Sequence, residues 1–209
     1  MANRIEVQLK MEAPRSLVWK MLTDISLWEK WYGVPVTAAD WREGGSISFG
    51  GQYATVSPIK QFRDGESFVV EGPWVDNAYA LRDENGGTIM SRTDIGKGAT
   101  WIDAKVPEEK SKKLRELAKL KKMIEEADLP NRIARAEKAA QMGRDALAEA
   151  EKRCVEAEKN LSNLRGIGKL LHGKEIQKQR DMALAAKAAA EKSVRIAEEL
   201  LQTLQKGRA

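Results

Sequence analysis

The chain has 209 residues, is 42% hydrophobic and 32% charged, and carries a net charge of +5. Its single cysteine, Cys154, and single histidine, His172, exclude an internal disulfide framework and a Cys/His zinc site, which needs about three or four ligands. No apolar run approaches the ~20 residues that cross a bilayer, and the opening "MANRIEVQLK" lacks the apolar block of a secretory leader. The expectation is a cytoplasmic protein with no transmembrane segment, no metal and no other cofactor.

In chain order, Ile5, Val7, Leu9 and Met11 alternate with polar residues, the pattern of a half-buried strand. Pro14 can open a helix, because the N–H it lacks would be unpaired there. Leu17, Val18, Met21, Leu22 and Ile25 then recur at helical spacing, and a second short helix carries Trp28 and Trp31. "SISFGGQYATVSPI" reads as two strands meeting at Gly50-Gly51, and "ESFVVEGPWV" as a strand with Pro73 at its end or at a bulge. "AYALRDENGGTIMSRTDI" is a hairpin with its turn over Asp83 to Gly87. Pro107, followed by acidic residues, starts a helix striped by Leu114, Leu117, Leu120 and Ile124. Antiparallel strands with helices to one side make an α+β domain.

The chain changes character near Asp128-Leu129-Pro130. Residues 1–127 hold 19 Lys+Arg against 19 Asp+Glu, whereas residues 128–209 hold 17 against 12, so the basic excess lies in the second part. All six tryptophans precede residue 128. Beyond it, Ile133, Ala136, Ala140, Gly143, Leu147, Ala150, Cys154, Ala157, Leu161 and Leu164 fall at alternating steps of three and four. A second stripe runs through Ile176, Ala183, Ala190, Val194, Ala197, Leu201 and Leu204, interrupted by Arg180 and Lys187. Two helices over about 130–164 and 174–205, joined by a tip at 165–173, predict an antiparallel coiled-coil hairpin for residues 128–209. Pro130 is read as the helix boundary. An alanine-rich seam buries little area, so the hairpin is expected to dock, to form a homodimer or to bind a protein partner. Ile167, Leu170 and Leu171 at the tip form a candidate interaction patch, or simply cover the end of the hairpin. Interleaved acidic residues and the lack of a recognised motif argue against nucleic acid.

"APRSLVWKMLTDISLWEKW" followed by "WREGGSISF" resembles the START-like (SRPBCC) superfamily, in its branch related to the activator of heat-shock-protein ATPase. The resemblance covers residues 3–126. It rests on Ala13-Pro14, Val18-Trp19, Leu22-Thr23-Asp24, Trp28 and Trp31, and Gly44-Gly45 before Phe49. It implies a helix-grip fold, a curved antiparallel sheet around a long C-terminal helix, with a largely apolar cavity for a small hydrophobic ligand. Residues 1–127 would form that domain. Trp31, Trp41, Phe49, Trp74 and Trp101 are candidates for the cavity wall, with Tyr79, Met90 and Arg92 on the late strands. Arg92 shares a strand face with Met90; it points inward or is a solvated strand arginine. Trp19 and Trp28 are assigned to the core, and Asp24 to helix capping. Three functions follow: a ligand-binding protein, a chaperone-cofactor-like or assembly adaptor acting through the hairpin, and a cyclase- or hydrolase-type enzyme.

Overall fold

The computed structural model describes residues 3–98, 103–163 and 167–206, leaving aside the side chains of Tyr53 and residues 167–171. The chain divides into two compact units, Met1–Asp128 and Leu129–Ala209.

In the first unit, β1 (Arg4–Met11) leads to α1 (Arg15–Thr23) and α2 (Trp28–Tyr32). Pro14 is the cap that precedes α1. The Asp24 carboxylate accepts from the Ser26 amide at 3.0 Å and caps the short turn between the two helices. Six strands follow: β2 (Val36–Ala39), β3 (Ser46–Phe49), β4 (Thr55–Arg63), β5 (Ser67–Val70), β6 (Val75–Glu84) and β7 (Gly87–Gly96). The sequence pattern had not suggested β2, whose four residues carry only one buried side chain, Val36. The sheet order is β1-β7-β6-β5-β4-β3-β2, antiparallel throughout. The β6–β7 turn is the two residues Asn85 and Gly86, with φ of 45° and 78°. That left-handed pair matches the twist of a tight hairpin and selects Asn-Gly.

Helix α3 (Val106–Asn163) places Leu117, Leu120 and Ile124 in the same core as Trp28, Phe68 and Tyr79. A sheet closed over the start of a long helix is the helix-grip arrangement. Pro130 does not end α3, contrary to the sequence expectation; it lies inside the helix. Proline removes one amide and strains one turn, and here the periodic pattern on both sides carries the helix across it.

In the second unit, the last part of α3 and helix α4 (Ile167–Lys206) form the hairpin. The described part of α4 begins at Ile167, seven residues before the expected 174, so most of the predicted tip is helical. Single glycines such as Gly168 and Gly173 cost a helix about 1 kcal/mol each and do not by themselves stop it. The seam buries Ala136, Ala140, Ala150, Cys154 and Ala157 with Ala183, Ala190, Ala197 and Leu204. Gly143 sets the closest approach: a Cβ there would stand 2.9 Å from a Val194 methyl.

Candidate functional site

A cavity of about 620 Å3 opens in the first unit. Its apolar wall comes from Trp28 and Tyr32 on α2, Phe49 at the end of β3, Val70 at the end of β5, and Tyr79 on β6. Trp28 and Tyr32 are one helical turn apart, so both rings project from one face of α2. Trp28 packs edge-on to Tyr79, with ring centroids 6.1 Å apart. Trp74, 76% exposed, stands at the rim, and its carbonyl accepts from the Lys97 amide at 2.9 Å.

The polar end is built by strand register. Tyr79 lies opposite Arg92, and Asn77 opposite Asp94, across β6 and β7. Arg92 and Asp94 share a strand face two residues apart, and Lys113 and Glu116 reach them from one turn of α3. Arg92 Nε donates to Asp94 Oδ1 at 3.1 Å, and its Nη1 donates to Glu116 Oε2. Lys113 Nζ lies 2.6 Å from Asp94 Oδ2. The Arg92 guanidinium also sits 5.1 Å from the Tyr32 ring centre and 5.8 Å from that of Tyr79, an attraction to the ring faces. Two cations and two carboxylates, all 14% exposed or less, thus make a neutral quartet. Burying charges is tolerated only when each is matched in this way.

Arg92 keeps its charge in this setting. Burial by itself would lower the Arg92 pKa, but the Asp94 and Glu116 carboxylates beside it help to raise it above the ordinary arginine value. Burial pushes the Tyr79 phenol well above the usual tyrosine range, and Tyr32 shifts the same way for the same reason. Both are neutral hydroxyls at physiological pH. The Tyr79 hydroxyl is buried and has no hydrogen-bond partner among the described residues, an arrangement that costs about 1–3 kcal/mol. At the rim, Glu71 lies 2.5 Å from Lys97 and 3.2 Å from Lys60. Hydrogen bonds from Lys97 and then Lys60 hold its carboxyl below the usual range.

Of the residues expected at the site, Phe49, Trp74, Tyr79 and Arg92 line the cavity. Arg92 is 3% exposed, which decides the choice left open by the sequence in favour of the inward position. Trp31 and Met90 are fully buried core residues, and Trp41 packs against that core partly buried; none of the three lines the cavity. Trp28, assigned to the core, belongs to both: it is 1% exposed, lines the cavity, and donates its indole N–H to the Leu22 carbonyl at 3.0 Å. Trp101 lies outside the described residues, as do the side chains of Ile167, Leu170 and Leu171. The sequence reading missed Asn77, Asp94, Lys113 and Glu116. The available signal was two charges on one face of a central strand, Arg92 and Asp94, which demanded partners from the helix opposite. Among the described residues no group of three or more His, Cys, Asp or Glu could hold a metal, and no helix is long and apolar enough to cross a membrane.

Comparison with known proteins places this geometry. Residues 12–113, just under half of the chain, match the family model of the activator of Hsp90 ATPase homolog 1-like protein. No curated protein sequence matches the chain. Among solved structures, the chain is similar to DynU16, a protein of the dynemicin biosynthetic locus, at 16% identity and a TM-score of 0.51. That match covers 60% of this chain and 48% of the other, so it spans about half of DynU16. ChR145 from Cytophaga hutchinsonii matches at 19% identity and a TM-score of 0.51, over 61% of this chain and 97% of its own. The Aha1 dimer from Colwellia psychrerythraea matches at 16% identity and a TM-score of 0.49, over 60% and 97%. At such identities the likeness is one of fold.

Proposed function

For a chain whose N-terminal unit belongs to the activator of Hsp90 ATPase homolog 1-like branch of the START-like superfamily, we propose a binding function. The cavity takes a small, largely apolar, neutral ligand, and the hairpin serves association in a cytoplasmic protein. The observation that carries this reading is Tyr79. Its hydroxyl, closed off from water, lacks a partner among the described residues behind the wall of an aromatic cavity, and a ligand carbonyl or hydroxyl that displaces the side chains in front of it would satisfy it. Apolar burial supplies affinity and a few polar groups set orientation.

Charge balance supports the neutral class. The Arg92 guanidinium and the Lys113 ammonium at the polar end are already matched by Asp94 and Glu116, so an anionic ligand would displace a carboxylate there or be left to the exposed Lys112 at the cavity edge. The same pairing weighs against catalysis. Asp94 and Glu116 are each paired with a cation, and two lysines hold the Glu71 carboxyl below its usual range, so a substrate proton would compete with those partners for each carboxylate.

The test uses two probes with one ring system, 2-acetylnaphthalene and 2-naphthoate, titrated calorimetrically into the full-length protein. The ketone is expected to bind more tightly than the carboxylate. Tyr79→Phe should weaken the ketone by about fivefold, the worth of one net hydrogen bond. Equal or tighter binding of the carboxylate, or no effect of Tyr79→Phe, would overturn the reading.

A further inference from the structure

Helix α4 carries a second heptad stripe beside the one that faces α3. Met182, Ala186, Ala189, Ser193, Ile196, Leu200 and Thr203 fall at alternating steps of four and three, with no charge among them. All seven are exposed, Met182 by 64%, Ile196 by 56% and Leu200 by 48%. The stripe extends over about 32 Å of helix at 1.5 Å per residue. Three ion pairs, Arg144–Glu198 (3.1 Å), Lys187–Glu151 (3.1 Å) and Arg180–Glu158 (3.5 Å), cross the hairpin on the opposite side of the seam. On the stripe's own side, α3 adds exposed Ala139, Met142 and Ala146.

We propose that this face is where a second copy of the chain docks, α4 against α4 in antiparallel register, to form a four-helix bundle. The flanking charges choose both the occupant and the register. Along the outer edge of the stripe lie Lys192 and Glu199, seven residues apart. A two-fold antiparallel pairing that sets Lys192 beside Glu199 of the second copy makes the reciprocal pair by symmetry. Sliding the helices by one heptad sets Lys192 against Lys192 in one direction and Glu199 against Glu199 in the other. Like charges at such flanks are unfavourable and are the usual register device of coiled coils.

The same register fits by size. It sets Ile196 opposite Ser193, Leu200 opposite Ala189 and Thr203 opposite Ala186, so at these three levels the larger side chain meets a smaller one, while Met182 lies beyond the paired length. Such knobs need holes of this kind. A parallel pairing offers no such match, because the inner edge of the stripe is the buried seam of Ala183, Ala190 and Ala197.

The experiment is sedimentation velocity of the full-length chain up to about 100 µM, with helicity checked by circular dichroism. The wild type is expected to be a dimer. Ile196→Lys should raise its dissociation constant by about a hundredfold or more, since it buries a charge in place of an apolar side chain; Leu200→Lys repeats the test at a second position. Lys192→Glu alone, or Glu199→Lys alone, should raise it by about tenfold, and the double exchange should restore the wild-type value. A monomer throughout, a dimer untouched by both Ile196→Lys and Leu200→Lys, or a double exchange no better than the single ones would each overturn the proposal.

Discussion

The two units of this chain are stabilised by different means. The first collects its large side chains at one place: Trp28 alone packs within about 6.5 Å, ring centre to ring centre, of Trp31, Tyr32, Trp41, Phe49 and Tyr79. The second buries mostly alanine along its seam. A unit with abundant apolar burial can tolerate an unsatisfied hydroxyl and four buried charges within itself, whereas a thin seam gains by covering another face. The lesson is that surplus core area permits a costly polar site, and a deficit of core area favours association.

Trp28→Ala should destabilise the first unit by about 3–5 kcal/mol through the cavity it leaves. Because every tryptophan precedes residue 128, urea unfolding followed by tryptophan fluorescence reads this unit, while ellipticity at 222 nm is dominated by the long helices. The fluorescence transition should move and most of the helical signal should not follow it.

Arg92→Met removes one member of the quartet and leaves Glu116 without its cation and Asp94 with only Lys113. The expected loss is about 3 kcal/mol, the usual cost of stranding a buried charge. In the fluorescence transition, adding Glu116→Leu should recover part of that loss, because a cation and an anion then leave together.

In the hairpin the comparable test is Gly143→Ala. Helix propensity favours alanine by about 1 kcal/mol, but the new methyl would stand 2.9 Å from the Val194 side chain and 3.4 Å from its backbone nitrogen. Overpacking of that kind costs about 1–3 kcal/mol, so a net loss of about 1 kcal/mol is expected in the 222 nm transition. Val194→Ala in the same chain should relieve the clash and recover that loss.

Tyr79→Phe removes an unsatisfied buried hydroxyl and should stabilise the ligand-free protein by about 1 kcal/mol, even as it weakens the ketone probe. The pH dependence has a defined sign. Tyr79 and Tyr32 have folded pKa values raised by burial, so above the unfolded tyrosine value of about 10 the unfolded chain loses protons that the folded chain keeps. Stability from these groups is complete below that pH and is lost as pH rises from there toward the folded values. A urea midpoint that falls above pH 10, less steeply in Tyr79→Phe, is the expected result.

Sequence periodicity by itself determined most of the secondary structure. Alternation located β1, β6 and β7, the Asn-Gly turn sat where φ must be positive, and three-four spacing ran through both helices of the hairpin. These are local properties, set by which face of a strand or helix can meet water. Arg92 was legible as a residue of the Met90 face, yet its burial was not, because a strand arginine is buried only if something neutralises it. That something is Asp94 on its own strand and Glu116 on a helix 24 residues away. Only the tertiary structure decided which aromatics line the cavity and which fill the core, since Trp28 and Trp31 carry the same chemistry three positions apart. It also decided that α3 continues through Pro130, because a proline's cost to a helix is local and limited, whereas the packing on both sides of it is spread over many residues.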